Sequence, residues 1–141
     1  MKFFKYLYYR MYKAYSEKND NPMSRTFMYM SLLHFFIGGA VLIYIERFLE
    51  KIDFIAKFYF YNNPIFWIIF YGMISLYTYI RYSRKSFEYY EDLFSGKKWL
   101  NSNVKIWMIG ILPFLIFFGG ILFSVILFGG KILGRDVVGF W

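Results

Sequence analysis

The stretch TFMYMSLLHFFIGGAVLIYI, residues 26–45, decides the fold class of this chain. Its 20 residues contain one side chain that titrates near neutral pH, His34, and the stretch ends at the charged pair Glu46 and Arg47. A helix needs about 20 mostly apolar residues to cross the roughly 30 Å hydrocarbon core of a bilayer. We therefore predict a transmembrane helix over residues 26–45.

Two further apolar stretches follow, so the sequence predicts an all-α membrane protein with three transmembrane helices. The second stretch covers residues 64–80, and Pro64 suits the first turn of a helix because proline lacks an N–H group. The third covers residues 104–128 and would reach roughly 37 Å, so we expect it to tilt or to kink at Pro113. An alternative breaks the third stretch at Gly119–Gly120 into a re-entrant pair.

The composition of the chain agrees with a membrane setting. Of its 141 residues, 59% are hydrophobic, which is more than soluble domains of this size usually carry. The formal net charge of +8 could indicate nucleic-acid binding, but the basic residues flank the apolar stretches, so we expect no nucleic-acid partner. The chain has no cysteine, which excludes disulfide bonds and cysteine-ligated metal sites.

Lys and Arg residues are concentrated on one side of the predicted spans. Twelve of the 17 precede the first span or lie in the connection between the second and third spans, when Lys105 is counted with that connection. Positive charge is retained on the cytoplasmic side of a membrane. We predict a single multi-pass domain in the bacterial cytoplasmic (inner) membrane, with the N-terminus in the cytoplasm and a tail of residues 129–141 outside.

Residues 1–20 predict an amphipathic helix that lies in the membrane interface. Aromatic side chains recur on one face at helical spacing, and most charged residues lie on the other. The membrane-interface residues that we predict are Phe4, Tyr8, Arg10, Tyr12 and Tyr15. Asn19–Pro22 would turn the chain into the first span. The helix would either anchor that span or dock a partner.

A second amphipathic segment, residues 84–94, lies in the predicted cytoplasmic loop of residues 82–100. Apolar residues share one side of this segment, and acidic residues occupy the other; the apolar set is Phe87, Tyr90, Leu93 and Phe94. We expect the two amphipathic helices to form the main cytoplasmic feature of the protein.

Few side chains in the sequence could perform chemistry. The chain has one histidine, and its nine carboxylates lie outside the predicted spans. It has no phosphate-binding glycine loop and no pattern that pairs a nucleophile with a base. We therefore predict no catalytic residue, no metal site, no cofactor and no enzymatic activity.

His34 stands out because an ionisable group inside a span is costly and normally faces other helices or water. Small residues around it and on the other spans predict a helix-packing or partner-binding face, formed by Ser31, His34, Gly38, Gly72, Ser75, Gly120 and Ser124. His34 would either donate a hydrogen bond between helices, or sense pH or relay protons. The first interpretation is favoured because no carboxylate lies in the spans to receive a proton.

The run FFKYLYYRMYKAYSEKNDNP, residues 3–22, is followed directly by an apolar span. It resembles the start of a group of small uncharacterised multi-pass membrane proteins of Bacteroidetes-type bacteria. The shared pattern is an aromatic-Tyr-Arg-x-Tyr helix, a polar turn with Asn-Pro, and then the span, and it covers the N-terminal third of the chain. The resemblance implies a role as an immunity or accessory protein beside secreted toxins, and it assigns no functional residue.

Three functions are compatible with the sequence, each with the lipid bilayer as one partner. The first is a non-enzymatic membrane protein, such as a toxin-immunity protein or accessory subunit, that makes helix–helix contacts with a protein partner or forms a homo-oligomer. The second is a self-assembling pore or channel or a membrane-disrupting, holin-like effector, which would need polar stripes along its spans. The third is a small transporter component, which would need coupling groups near the midplane of the membrane.

Overall fold

The computed structural model describes residues 2–18, 21–51, 63–97, 104–132 and 135–140, which are almost entirely helical. The elements, in chain order, are α1 (Lys2–Ser16), α2 (Pro22–Lys51), α3 (Pro64–Ser83), α4 (Phe87–Phe94), α5 (Ile106–Phe128), β1 (Gly130–Ile132) and β2 (Arg135–Val137). The two strands form an antiparallel pair in the predicted tail. Asn19 and Asp20 of the predicted turn, residues 52–62 and residues 98–103 lie outside the described residues.

Two helices, α2 over Pro22–Leu49 and α5 over Ile106–Phe128, are long and apolar enough to cross a membrane. The prediction of an all-helical fold with candidate spans at these two places is confirmed. α2 contains 30 residues, or about 45 Å, and extends beyond residues 26–45 at both ends. α5 continues without a break through Gly119 and Gly120, so it does not adopt the re-entrant alternative.

α3 begins at the predicted residue, Pro64, and ends three residues beyond the predicted stretch, at Ser83. Asn63 fixes its start, because the Asn63 Oδ1 atom accepts a hydrogen bond from the backbone N–H of Ile65 at 3.0 Å. Such a side-chain cap satisfies a backbone donor that has no partner within the helix. The role of α3 as a third span stays a prediction.

The chain folds into two compact units, each assembled from segments of several helices. Unit 1 comprises Met1–His34 and Gly72–Leu112, and unit 2 comprises Phe35–Tyr71 and Pro113–Trp141. Unit 1 therefore contains α1, α4 and parts of α2, α3 and α5. Unit 2 contains the remaining parts of those three long helices and the strand pair.

Unit 1 has a packed core in which tyrosines predominate. α1 packs on α4, where the Tyr12 and Phe87 rings stack with centroids 4.2 Å apart and the Tyr6 ring meets Phe94 edge-on at 5.5 Å. Aromatic rings bury large apolar areas and favour such offset or edge-to-face contacts. The buried apolar residues are Tyr6, Leu7, Tyr8, Tyr9, Met11, Tyr29, Met30, Leu33, Tyr82, Tyr90, Phe94 and Ile109.

In unit 2, α2 and α3 run in opposite directions. The ring of Phe35 lies 5.5 Å from the ring of Tyr71, and one turn later a Cβ atom at Gly39 would lie 3.5 Å from the ring of Trp67. A step of four residues towards the C-terminus of α2 therefore moves the contact four residues towards the N-terminus of α3.

In the same unit, α2 and α5 run in the same direction. The rings of Phe36 and Phe117 lie 4.9 Å apart, and one turn further along both helices Ala40 faces Gly120. A Cβ atom added at Gly120 would come within 2.8 Å of the Ala40 Cβ atom, so the absence of a side chain at Gly120 permits this close approach.

Candidate functional site

A seam of polar side chains lies between α2 and α3 within unit 1. This polar seam consists of Ser31 and His34 from α2 and of Ser75, Thr78 and Tyr82 from α3. Spacings of three and four residues place each set on one face of its helix. Ser31 and Thr78 are fully buried, and Tyr82 is nearly so.

The imidazole of His34 is held by hydrogen bonds within this seam. Its Nδ1 atom lies 2.7 Å from the backbone oxygen of Met30 and 3.5 Å from the Oγ1 atom of Thr78. A carbonyl oxygen only accepts, so Nδ1 carries the proton and donates it to Met30. The Thr78 hydroxyl in turn donates to the backbone oxygen of Ile74 at 2.8 Å. This arrangement assigns His34 the Nδ1–H tautomer and leaves its Nε2 atom as an acceptor.

Aromatic rings from α1 and α3 surround the imidazole. The ring of Phe4 stacks on it with centroids 5.0 Å apart and an interplanar angle of 27°. The rings of Tyr77 and Tyr82 lie at 5.8 Å and 6.1 Å. His34 is therefore enclosed by other residues of unit 1, which is the position expected of a polar group in a costly environment.

Several buried atoms of the seam have no hydrogen-bond partner among the described residues, namely Ser31 Oγ, His34 Nε2, Ser75 Oγ and Tyr82 OH. A buried polar atom without a partner costs about 1–3 kcal/mol, and buried water often supplies the missing bond. The seam can therefore bind water or one polar group of a ligand. The described residues contain no group of three or more His, Asp or Glu side chains that could hold a metal ion.

The other small residues that the sequence singles out lie outside the polar seam. Gly120 allows the close contact with Ala40 in unit 2, and Ser124 is buried there. Gly38 is partly buried. Gly72 is exposed, and a Cβ atom at this position would meet nothing within 4 Å. The predicted set of seven residues therefore contains three members of the seam and four residues in other surroundings.

The predicted membrane-interface residues of α1 contact the protein itself. The ring of Tyr8 lies parallel to that of Tyr82 at 4.9 Å and within 4.8 Å of the Tyr90 ring. Arg10 donates a hydrogen bond to the backbone oxygen of Val104 at 2.8 Å. Phe4 and Tyr12 make the contacts given above, and the Arg25 guanidinium lies 5.9 Å from the centre of the Tyr15 ring. The interfacial location of α1 stays a prediction.

Burial also changes the acidity of the tyrosines in this part of unit 1. It raises the pKa of Tyr8 to about 12, because the ionised phenolate loses its hydration. The pKa values of Tyr6 and Tyr90 are raised for the same reason. Tyr89, which is only partly buried, shows the opposite effect, because hydrogen bonds from Lys5 and Lys85 lower its pKa.

Sequence reasoning did not assign Tyr82 or Phe4 to the surroundings of His34. The spacing of α3 could have predicted the position of Tyr82, since Ser75, Thr78 and Tyr82 follow one another at intervals of three and four residues and so share one helix face. Phe4 gave no such signal, because only the tertiary fold brings α1 to residue 34.

No family model, no curated protein and no solved structure matches this chain.

Proposed function

We propose that this chain is a non-enzymatic integral membrane protein of the bacterial inner membrane that binds a partner protein through helix–helix contacts. In this proposal α2, α3 and α5 each cross the membrane, and the N-terminus lies in the cytoplasm. Within unit 2, α3 runs opposite to α2 and α5 runs parallel to it, as three successive passages require. The excess of Lys and Arg before α2 and between α3 and α5 supports the orientation.

The observation that carries the proposal is an exposed glycine among large apolar residues. On α3, Gly72, Leu76 and Ile80 follow one another at intervals of four residues, and all three are exposed. We call them the Gly72 strip. A Cβ atom at Gly72 would meet nothing, so the glycine is not required for packing within unit 1. Glycine weakens a helix by about 1 kcal/mol relative to alanine, and close approach of another helix is the usual compensation.

A similar strip lies on α5 within unit 2. Leu115, Gly119, Leu122 and Ile126 are exposed on one side of the helix, and a Cβ atom at Gly119 would also meet nothing. We call these residues the Gly119 strip. Both strips suit an apolar helix of a partner, with the glycine allowing the two backbones to come close.

The position of the polar groups favours a binding protein over a pore. A conducting lumen is normally lined by polar side chains. The polar side chains of the seam are buried inside unit 1, whereas the exposed strips are apolar. This arrangement leaves apolar surface, and not a polar stripe, available to another protein.

Capture in mild detergent from the native host tests the proposal. The full chain carrying an affinity tag should recover a discrete partner protein, and Gly72→Leu with Gly119→Leu should reduce recovery at least tenfold because the added side chains hold the partner helix away. Met73→Leu is the matched control, since Met73 is exposed beside the Gly72 strip and the change conserves volume, so the shape of that face is kept.

Two results would contradict the proposal. Recovery of the partner that is unaffected by the double glycine substitution would show that the strips are not used. Rapid loss of membrane potential on expression of the chain alone would instead support a pore.

A further inference from the structure

A basic groove lies on unit 1, between the C-terminal half of α1 and the residues at the start of α5. Its volume is about 680 Å³, and it is open on one side. Four basic side chains and one carboxylate are among its lining residues: Arg10, Lys13, Lys18, Lys105 and Glu17. The groove therefore concentrates positive charge in a concave space, where fields from neighbouring charges reinforce one another.

The lysines of the groove are not used to hold the fold together. Lys13, Lys18 and Lys105 are exposed, and their side chains form no ion pair or hydrogen bond among the described residues. Arg10 has a different role, because its hydrogen bond to the backbone oxygen of Val104 fixes one wall of the groove to the other. The result is a preformed space whose lysine ammonium groups can still bind an anion.

The groove lies where the chain changes from polar to apolar. Ile106 lines the groove and is the first residue of α5, which is apolar throughout its length. Trp107 follows and is 60% exposed, and tryptophan is enriched at the headgroup level of membranes. If α5 spans the membrane, the groove is at the level of the lipid phosphates and the exposed side of α5 is at the level of the acyl chains.

We propose that the basic groove binds the headgroup of an anionic phospholipid of the cytoplasmic leaflet. Lys13, Lys18 and Lys105 contact the phosphate group, and the acyl chains extend from the groove along Ile106 and Trp107. This inference goes beyond partner binding and rests only on the membrane-spanning part of the proposed function. The mixed lining favours a lipid over a soluble anion, since Met11, Ala14 and Ile106 offer apolar contacts beside the cations.

Native mass spectrometry of the full chain in detergent tests the inference, with phosphatidylglycerol and phosphatidylcholine as probes. We expect phosphatidylglycerol to bind more tightly than phosphatidylcholine. Lys13→Gln with Lys105→Gln should weaken phosphatidylglycerol binding roughly 30-fold, on the scale of about fivefold for each lysine near a membrane surface. The charge-conserving pair Lys13→Arg with Lys105→Arg should restore binding.

Lys2→Gln with Lys97→Gln is the matched control. Both lysines are exposed and neither lines the groove, so the same loss of charge should weaken binding less than threefold, because salt screens exposed charges that do not contact the lipid. An equal loss for the two pairs would overturn the inference in favour of diffuse attraction by net charge. Equal binding of the two lipids, or displacement of the lipid by the same concentration of glycerol 3-phosphate, would overturn it as well.

Discussion

The two units of this chain differ in the large apolar side chains that they bury. Among the described residues, the buried Tyr, Phe, Leu, Ile and Met side chains all belong to unit 1, whereas unit 2 buries Pro113. In unit 2, large apolar side chains remain exposed on α2, α3 and α5, among them Val41, Ile68, Leu115, Phe118 and Phe123. Unit 1 therefore has a buried aromatic core as well as exposed apolar residues such as Leu76 and Ile80, whereas the described Phe, Tyr, Trp, Leu, Ile and Val side chains of unit 2 are all exposed or only partly buried.

This difference indicates which surroundings suit the surface of each unit. A monomeric soluble protein rarely exposes a contiguous apolar surface of more than a few hundred Å². In the proposed function, lipid or a partner helix covers the apolar surface of unit 2, whereas the core of unit 1 is built from contacts between its own tyrosines and phenylalanines. Substitutions in the two units should consequently have different effects.

The largest expected effect is the loss of a core tyrosine from unit 1. Tyr9 is 1% exposed and packs on Phe87 and Phe94, so Tyr9→Ala should destabilise unit 1 by about 3–5 kcal/mol, as other buried aromatic truncations do. Unfolding of the full chain in detergent measures this change. Phe3→Ala on the same helix is the control, because Phe3 is 56% exposed, and it should cost less than about 1 kcal/mol. Equal costs would show that unit 1 lacks a packed core.

The second effect concerns the adjacent glycines of α5 in unit 2. Gly120→Ala should destabilise the contact between α2 and α5 by about 1–3 kcal/mol, because its Cβ atom would meet that of Ala40 at 2.8 Å. Gly119→Ala should be neutral or stabilising, since open space surrounds that position and alanine favours the helix. Thermal unfolding in detergent compares the stability of the two variants. A Gly119→Ala variant that is less stable than Gly120→Ala would contradict the observed contact between α2 and α5.

The third effect is the response of the unit 1 core to alkali. Burial raises the pKa of Tyr8 from its ordinary value of about 10 to about 12, so its contribution to stability is complete below pH 10 and is lost as the pH rises towards 12. Between pH 9 and 11.5, the wild type should lose up to about 2 kcal/mol more than Tyr8→Phe, in which this titration is removed. Tyr79→Phe, at an exposed position, should behave as the wild type does. An identical pH response of Tyr8→Phe and the wild type would disagree with burial of Tyr8.

The smallest expected effect is at the centre of the polar seam. His34→Gln should change stability by less than about 1 kcal/mol and preserve assembly, because the amide keeps a hydrogen-bond donor without titrating. The measurement is unfolding and partner recovery at pH 5 and pH 8. A loss of function in the variant that depends on pH would instead favour a pH-sensing or proton-relay role for His34.

The positions of the long helices along the chain could be predicted from the sequence, because each position depends on local composition. Apolar length placed α2 and α5, and Pro64 marked the start of α3. The amphipathic segment of residues 84–94 contains α4, although the helix begins only at Phe87. The strand pair after α5 was not predicted, because three-residue strands have too few residues to show an alternating pattern.

Only some residues of the candidate site could be predicted from the sequence. Ser31, His34 and Ser75 were recognisable as polar residues among apolar ones, and their burial agrees with the high cost of exposing such groups to lipid. The outward position of Gly72 could not be predicted from the sequence. A glycine on an apolar helix is flanked by the same kinds of residue whether it faces a neighbouring helix or open space. The choice between these two settings depends on which neighbours the fold supplies.

The amino-acid sequence alone predicts the helical class, the two apolar helices that can cross a membrane, and the concentration of positive charge around them, because each is a property of consecutive residues. Three further features depend on the tertiary structure. The aromatic face of α1 packs on Tyr82, Tyr90 and Phe87. Phe4 stacks on His34, and the hydrogen bond from Arg10 to Val104 joins the two walls of the basic groove. These contacts join residues far apart in the chain. Periodicity shows which face of a helix is apolar, but only the packing of all the helices determines whether lipid or protein covers that face.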